Sequence, residues 1–95
     1  MIGLVAVLKV TSGKEKEALE SCRQIAGEVN KKEKGCLLYE PYTARDNPSE
    51  IYFLEKYAAM EDLEEHRQSK HYQEFKEKMK DVLAEPPTVT VLHPV

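Results

Sequence analysis

The sequence predicts an α+β fold of the ferredoxin-like (βαββαβ) type, a four-stranded antiparallel sheet carrying its helices on one face. Three observations lead there. The chain has 95 residues, enough for one domain spanning 1–95 and too few for two. Its apolar periodicity alternates between 2 and 3.6 in the order strand, helix, strand, strand, broken helix, strand. Its first strand is apolar on both parities, so both faces of the sheet need cover, and helices supply only one.

The elements follow in chain order. Ile2, Leu4, Ala6, Leu8 and Val10 form one parity of the first strand, and Val5 and Val7 the other. Thr11-Ser12-Gly13-Lys14-Glu15 reads as a helix start, with Ser12 and Glu15 at the capping-box spacing. Ala18, Leu19, Cys22, Ile25, Ala26 and Val29 then keep the helical period. Lys31, Lys32 and Lys34 complement the carbonyl end of the helix, and Gly35 suits a left-handed C′ position. The second strand runs from Cys36 to Tyr42 and the third from Ile51 to Tyr57, joined by a longer loop over Ala44–Ser49. A short helix over Ala58–Arg67 turns Met60 and Leu63 inward. Ser69 caps a further helix whose Tyr72, Phe75, Met79, Val82 and Leu83 share one face. Pro86-Pro87 stops it, and Thr88–Leu92 is the last strand.

In this arrangement one sheet face stays bare, carrying one parity of the first strand and aromatic residues of the second and third. An apolar patch of that kind marks an interface or a pocket. The expectation is a homodimer joined through the sheet faces.

Composition excludes several classes. Lys+Arg 14 against Asp+Glu 17 gives a net charge of -3, which argues against a nucleic-acid partner needing a basic stripe. No apolar run approaches the roughly 20 residues of a membrane span, so no membrane insertion is expected. Met1 leads into a strand without a signal-peptide pattern, and the 2 cysteines form neither a metal cluster nor a disulfide framework, so a reduced cytoplasmic protein is expected. Glycine-rich nucleotide cradles and the GxSxG elbow are missing, and no bound cofactor is expected.

Two residues stand out as candidate chemistry. Glu55 shares its strand parity with Ile51, Phe53 and Tyr57, and a carboxylate on such a face must be paired, hydrogen-bonded or raised in pKa. His66 lies on the inward stripe of the short helix, three residues after Leu63, where it is either a satisfied core residue or a proton acceptor with an ordinary pKa near 6.5. His71 opens the following helix. On a continuous helix the five-residue step from His66 would turn the rings roughly 140° apart, and no HExxH motif is completed, so no metal site is expected. His93 reads as structural or exposed. Cys22 fits the buried stripe of the first helix, and Cys36 has no base beside it in sequence. Among the 5 tyrosines, one or two could line a pocket for a planar ligand.

Three segments carry a family resemblance. Gly35-Cys36-Leu37-Leu38-Tyr39 resembles the GC-x-x-Y second strand of the antibiotic biosynthesis monooxygenase family, and Phe53-Leu54-Glu55-Lys56-Tyr57 resembles its E-x-W/Y third strand. Leu63, His66, Ser69, His71 and Tyr72 match the L-x-x-H-x-x-(S/T)-x-H-(F/Y/M) helix break. The resemblance covers nearly the whole chain. It implies a ferredoxin-like protomer, a homodimer whose sheets close into an α/β barrel, and oxygenation of quinols or aromatic polyketides without flavin or metal. The quinol monooxygenases are the most similar in pattern. It implies His66 and Glu55 as catalytic residues, and places Tyr57, His71, Phe53, Tyr39 and Tyr72 around the substrate. This chain has no Trp and no Asn in its first strand, so heme degradation is not implied. Other relatives isomerise a small phosphorylated dione, for which Arg45 and Arg67 would be the phosphate candidates, and a barrel that only binds a ligand is the third expectation.

The expected chemistry is oxidation of a quinol or phenolic small molecule by O₂. His66 is the expected base, Glu55 orients it or stabilises its charge, and Tyr57 stacks on or bonds the substrate ring.

Overall fold

The computed structural model describes residues 1–95. The elements are β1 (Ile2–Lys9), α1 (Glu15–Lys32), β2 (Cys36–Ala44), β3 (Asn47–Tyr57), α2 (Met60–Gln68), α3 (Lys70–Met79) and β4 (Thr88–Leu92). The strands form one antiparallel sheet in the order β2-β3-β1-β4. This is the α+β, ferredoxin-like fold that the segment order predicts.

The parity of β1 decides what the sheet buries. Ile2, Leu4, Ala6 and Leu8 are buried, while Val5 and Val7 on the opposite face are only half-buried. The register carries this across the sheet, setting Leu4 opposite Glu55, Ala6 opposite Phe53 and Leu8 opposite Ile51. Ala18, Cys22, Ile25 and Val29 of α1, spaced at 3 or 4 residues, close the core over this side with Leu63, Phe75 and Met79. The other face carries Val5 and Val7 beside Leu54 and Tyr52, with Leu92 and Tyr42 further out. Leu54, Leu92 and Tyr42 are 37%, 43% and 51% exposed, so this face lies uncovered in the single chain.

Several local expectations change. Ser12 does not cap α1. The Glu15 carboxylate instead accepts from Gly13 N at 2.9 Å and from Ser49 Oγ at 2.6 Å, tying the helix start to β3. Gly13, at φ +92°, takes the one left-handed turn of the chain. Gly35 is not left-handed. Its hydrogen leaves room for Asp62, since a Cβ there would stand 1.9 Å from Asp62 Oδ1. The space is used, because Asp62 Oδ2 accepts from Ala59 N at 3.0 Å and starts α2.

The β2–β3 connection is tighter than expected, with Arg45 and Asp46 forming the turn and Ala44 already paired with Asn47. Asn47 Oδ1 accepts from Ser49 N at 3.0 Å, a local bond that short polar side chains favour at turns. Met60 is 36% exposed and does not share the inward face of Leu63, because α2 begins at Met60 and its first turn lies at the rim. Beyond Met79 the helix stops. Val82 is buried in the turn that follows, and Leu83 bridges to Val10. Ser69 does cap α3, accepting from Tyr72 N at 3.2 Å, and its hydroxyl donates to His66 O at 2.7 Å. Its extended backbone (φ -66°, ψ 149°) interrupts the helix between His66 and His71.

Candidate functional site

The inner face of the sheet and the α2–α3 unit do not close completely on each other. Between them lies a cavity of about 640 Å³, within the roughly 300–1,000 Å³ of small-molecule sites. Leu4, Ala6, Phe53, Tyr39, Tyr72 and Phe75 wall it with apolar and aromatic surface. Glu55, His66 and Arg67 enter that wall, and Lys76 and Lys80 stand with them on the helix side. The rings pack closely, with centroids 5.3 Å apart for Tyr39 and Phe53, 5.1 Å for Tyr39 and His66, and 4.6 Å for His66 and Tyr72.

Glu55 reaches this cavity because the antiparallel register puts it beside Leu4 and Tyr39 on the inner face. It is 7% exposed. One oxygen accepts from Tyr57 Oη–H at 2.6 Å. Burial lifts its pKa from 4.5 to about 7, against the lowering effect of the Tyr57 hydrogen bond. Burial and the Glu55 charge both push the Tyr57 phenol far up, so it remains a donor to the carboxylate.

His66 is 3% exposed, and burial holds its pKa below the ordinary 6.5, so the ring is neutral at neutral pH. Its Nδ1 lies 2.9 and 3.1 Å from the two oxygens of Glu33. A carboxylate is acceptor-only, so Nδ1 carries the proton and donates it, leaving Nε2 as the acceptor. His71 Nε2 reaches the same carboxylate at 2.5 Å. The carboxylate bonded to His66 is therefore Glu33, while Glu55 bonds Tyr57.

No buried side-chain nitrogen or oxygen lacks a partner. His66 Nε2 and the second oxygen of Glu55 have no protein partner. Neither atom is therefore sealed from solvent, and both residues line the cavity.

The expected site residues divide into two groups. His66, Glu55, Phe53, Tyr39 and Tyr72 line the cavity together. Tyr57 and His71 do not. Tyr57 is fully buried, and its hydroxyl donates to the Glu55 carboxylate. His71 lies on the far side of Glu33, facing a shallow polar groove with Glu28, Lys32 and Lys78. The expected separation of the two histidines also fails. The break at Ser69 brings their rings to 6.4 Å, and with Glu33 they form a cluster of donor atoms lying within 4.8 Å of one another.

Of the two phosphate candidates, Arg67 lies on the cavity and Arg45 in the distant β2–β3 turn. Cys22 is buried, with its thiol pushed up to about 12, and Cys36 is pushed up to about 11. Burial thus disfavours the reactive thiolate of both. Exposed His93 lies beyond β4. Glu33, absent from the residues the sequence pattern points to, is the one acid inside Lys31-Lys32-Glu33-Lys34. An acid interrupting a cationic helix end was the available signal.

The family described as "Antibiotic biosynthesis monooxygenase" matches residues 1–78. A curated protein of Mycobacterium tuberculosis, "Putative monooxygenase Rv0793", is 36% identical over 63 residues, or 66% of this chain, and the match spans 61% of that protein's length. The solved structure of Rv0793 superposes with a TM-score of 0.91 at 26% identity, covering 99% of this chain and 94% of that one. A Caulobacter crescentus structure described as a "putative antibiotic biosynthesis monooxygenase" gives a TM-score of 0.94 at 30% identity, covering 99% of this chain and 89% of that one. A Nitrosomonas europaea structure of the same description reaches 0.95 at 20% identity over 100% of this chain and 99% of that one, a likeness of fold.

Proposed function

The chain belongs to the antibiotic biosynthesis monooxygenase family, and on that premise we propose that it oxidises a quinol or phenolic aromatic small molecule with O₂ inside the sheet–helix cavity. The observation that carries this reading is that His66 and Glu55, each with one acceptor atom free of protein partners, line one cavity walled by Phe53, Tyr39, Tyr72 and Phe75.

The chemistry follows from the two acceptors. A phenol of pKa about 10 gives an electron to O₂ poorly until it loses its proton, and a base positioned in a dry pocket raises the anion population. His66 Nε2 takes the phenolic proton, with Glu33 stabilising the imidazolium that forms. The phenolate passes one electron to O₂, and recombination forms a C–O bond at a ring carbon bearing hydrogen. Glu55, poised near neutrality, removes that hydrogen as a proton. His66 gives its proton to the outer oxygen of the peroxide, the O–O bond breaks as the ring carbonyl forms, and the leaving hydroxide takes the proton held by Glu55 and departs as water. One oxygen atom enters the substrate and the other becomes water, and the substrate supplies the electrons. Aromatic walls suit a planar ring on dispersion and stacking grounds.

The working unit in this reading is a homodimer joined through the uncovered sheet face, with Val5, Val7 and Leu54 at its centre. The deciding experiment measures oxygen uptake with a chemically reduced naphthoquinol, without added flavin or metal, after subtraction of autoxidation. Protein-dependent uptake that His66→Ala abolishes is expected. Uptake no greater than autoxidation removes the oxygenase reading.

One observation favours a second reading. Arg67 and Lys76 line the cavity and neither makes a salt bridge, so they could receive an anionic group. Isomerisation of a small phosphorylated dione would use that charge together with Glu55 and His66. Deuterium uptake from solvent into such a substrate without O₂ consumption would favour it.

A further inference from the structure

We propose that Glu33, His66 and His71 form a binding site for a divalent transition-metal ion, Zn²⁺ being the one their donor chemistry suits. The site lies behind the cavity and differs from it. It joins the end of α1, α2 and the start of α3. Two imidazole nitrogens and a carboxylate oxygen, His66 Nδ1, His71 Nε2 and Glu33 Oε2, lie within 4.8 Å of one another. Glu33 Oε2 stands 2.9 Å from the first nitrogen and 2.5 Å from the second.

The geometry and the donor set agree. Three ligands at about 2.0–2.2 Å from a tetrahedral ion lie about 3.3 Å from one another. Glu33 Oε2 therefore needs to part from each nitrogen by less than about 1 Å, and the two nitrogens, within 4.8 Å of each other, settle to that same spacing. Two imidazoles with one carboxylate select Zn²⁺ over Ca²⁺ or Mg²⁺, which prefer oxygen ligands. The Glu33 and His71 side chains are 13% and 14% exposed, so an ion can enter and water can fill the fourth position. The break at Ser69 makes the site, because on a continuous helix His66 and His71 would diverge.

Occupancy changes His66. The ion takes the lone pair of Nδ1, so the ring proton moves to Nε2, the nitrogen free of protein partners. That atom turns from acceptor to donor and can no longer take a proton from a phenol. This consequence rests on the oxygenase reading above; the binding does not.

The test titrates chelator-treated protein with Zn²⁺ against a chromophoric chelator. One Zn²⁺ per chain is expected, with Glu33→Gln and His71→Asn each weakening it about 10-fold or more and His93→Asn leaving it unchanged. Circular dichroism checks that each variant is folded. The site is overturned by the lack of stoichiometric binding in the wild type, or by affinity that survives both ligand substitutions or falls with His93→Asn. Oxygen uptake on the same samples reads the consequence separately. Activity lost on loading supports the tautomer switch, and full activity of the loaded protein overturns it. A protein that binds Zn²⁺ yet never consumes oxygen defeats the oxygenase reading and leaves the metal site standing.

Discussion

Glu33 and His66 are 33 residues apart in the chain, and a Glu33 oxygen lies 2.9 Å from His66 Nδ1. That bond fixes which nitrogen of the ring carries the proton and leaves the other as an acceptor. In the proposed reaction, Glu33→Gln therefore lowers kcat by about 10-fold or more, because an amide can present its N–H₂ to Nδ1 and reverse the tautomer. His66→Ala lowers it by about 100-fold or more. Oxygen uptake with reduced naphthoquinol checks both, and an unchanged rate in Glu33→Gln would remove its positioning role.

Glu55 makes stability depend on pH in a direction opposite to most carboxylates. Its folded pKa of about 7 lies above the ordinary 4.5, so the folded state holds the proton more tightly than the unfolded state. Below pH 4.5 both states are protonated and burial exacts no charge penalty. The penalty grows from there to about pH 7 and is then constant, reaching at most about 3 kcal/mol. Glu55→Gln, which keeps an acceptor for Tyr57, is expected to lose less stability than wild type between pH 5 and 7.5. Urea unfolding at those pH values measures it, and parallel curves would contradict the assignment.

Gly35→Ala is expected to destabilise the fold by about 1–3 kcal/mol. Replacing glycine by alanine at an unstrained position usually stabilises by about 0.4–1 kcal/mol, so the sign is diagnostic. The new Cβ would stand 1.9 Å from Asp62 Oδ1 and displace the carboxylate that starts α2. A lower urea midpoint with unchanged slope is the expected result.

The exposed side of the sheet yields a fourth prediction. Sedimentation at micromolar concentration is expected to give a dimer, and Leu54→Glu to give a folded monomer. Leu54 sits opposite Val5 on the central strand pair, where a buried charge would find no partner. A wild-type monomer would end the reading of that face as an interface.

Much of the fold is legible because each signal is local. The apolar parities of Ile2–Leu8 and Ile51–Tyr57, the period of Ala18–Val29 and the cap at Ser69 report the pattern of a single segment. Glu55 and His66 are legible for a related reason, since a polar residue breaking an apolar stripe is visible without knowing its neighbours. Expectations fail where space rather than pattern decides. Gly35 is glycine because Asp62 comes from another element, and Ser12 yields to a Glu15 carboxylate that also serves Ser49, 34 residues away.

Burial periodicity is written residue by residue, and it carries the element order, the inward parity of the sheet and the two polar residues that interrupt it. The partners of those residues come from packing between distant segments. Glu33 interrupts a lysine-rich helix end, a local oddity that does not name its partners, and packing of α1 against the broken α2–α3 unit delivers it to both histidines. Tyr57 shares the parity of Glu55 and looks like a substrate contact, yet packing buries it as a donor to that carboxylate. Hydrogen-bond partners are a matter of ångströms between distant segments, and strand or helix periodicity carries no information at that range.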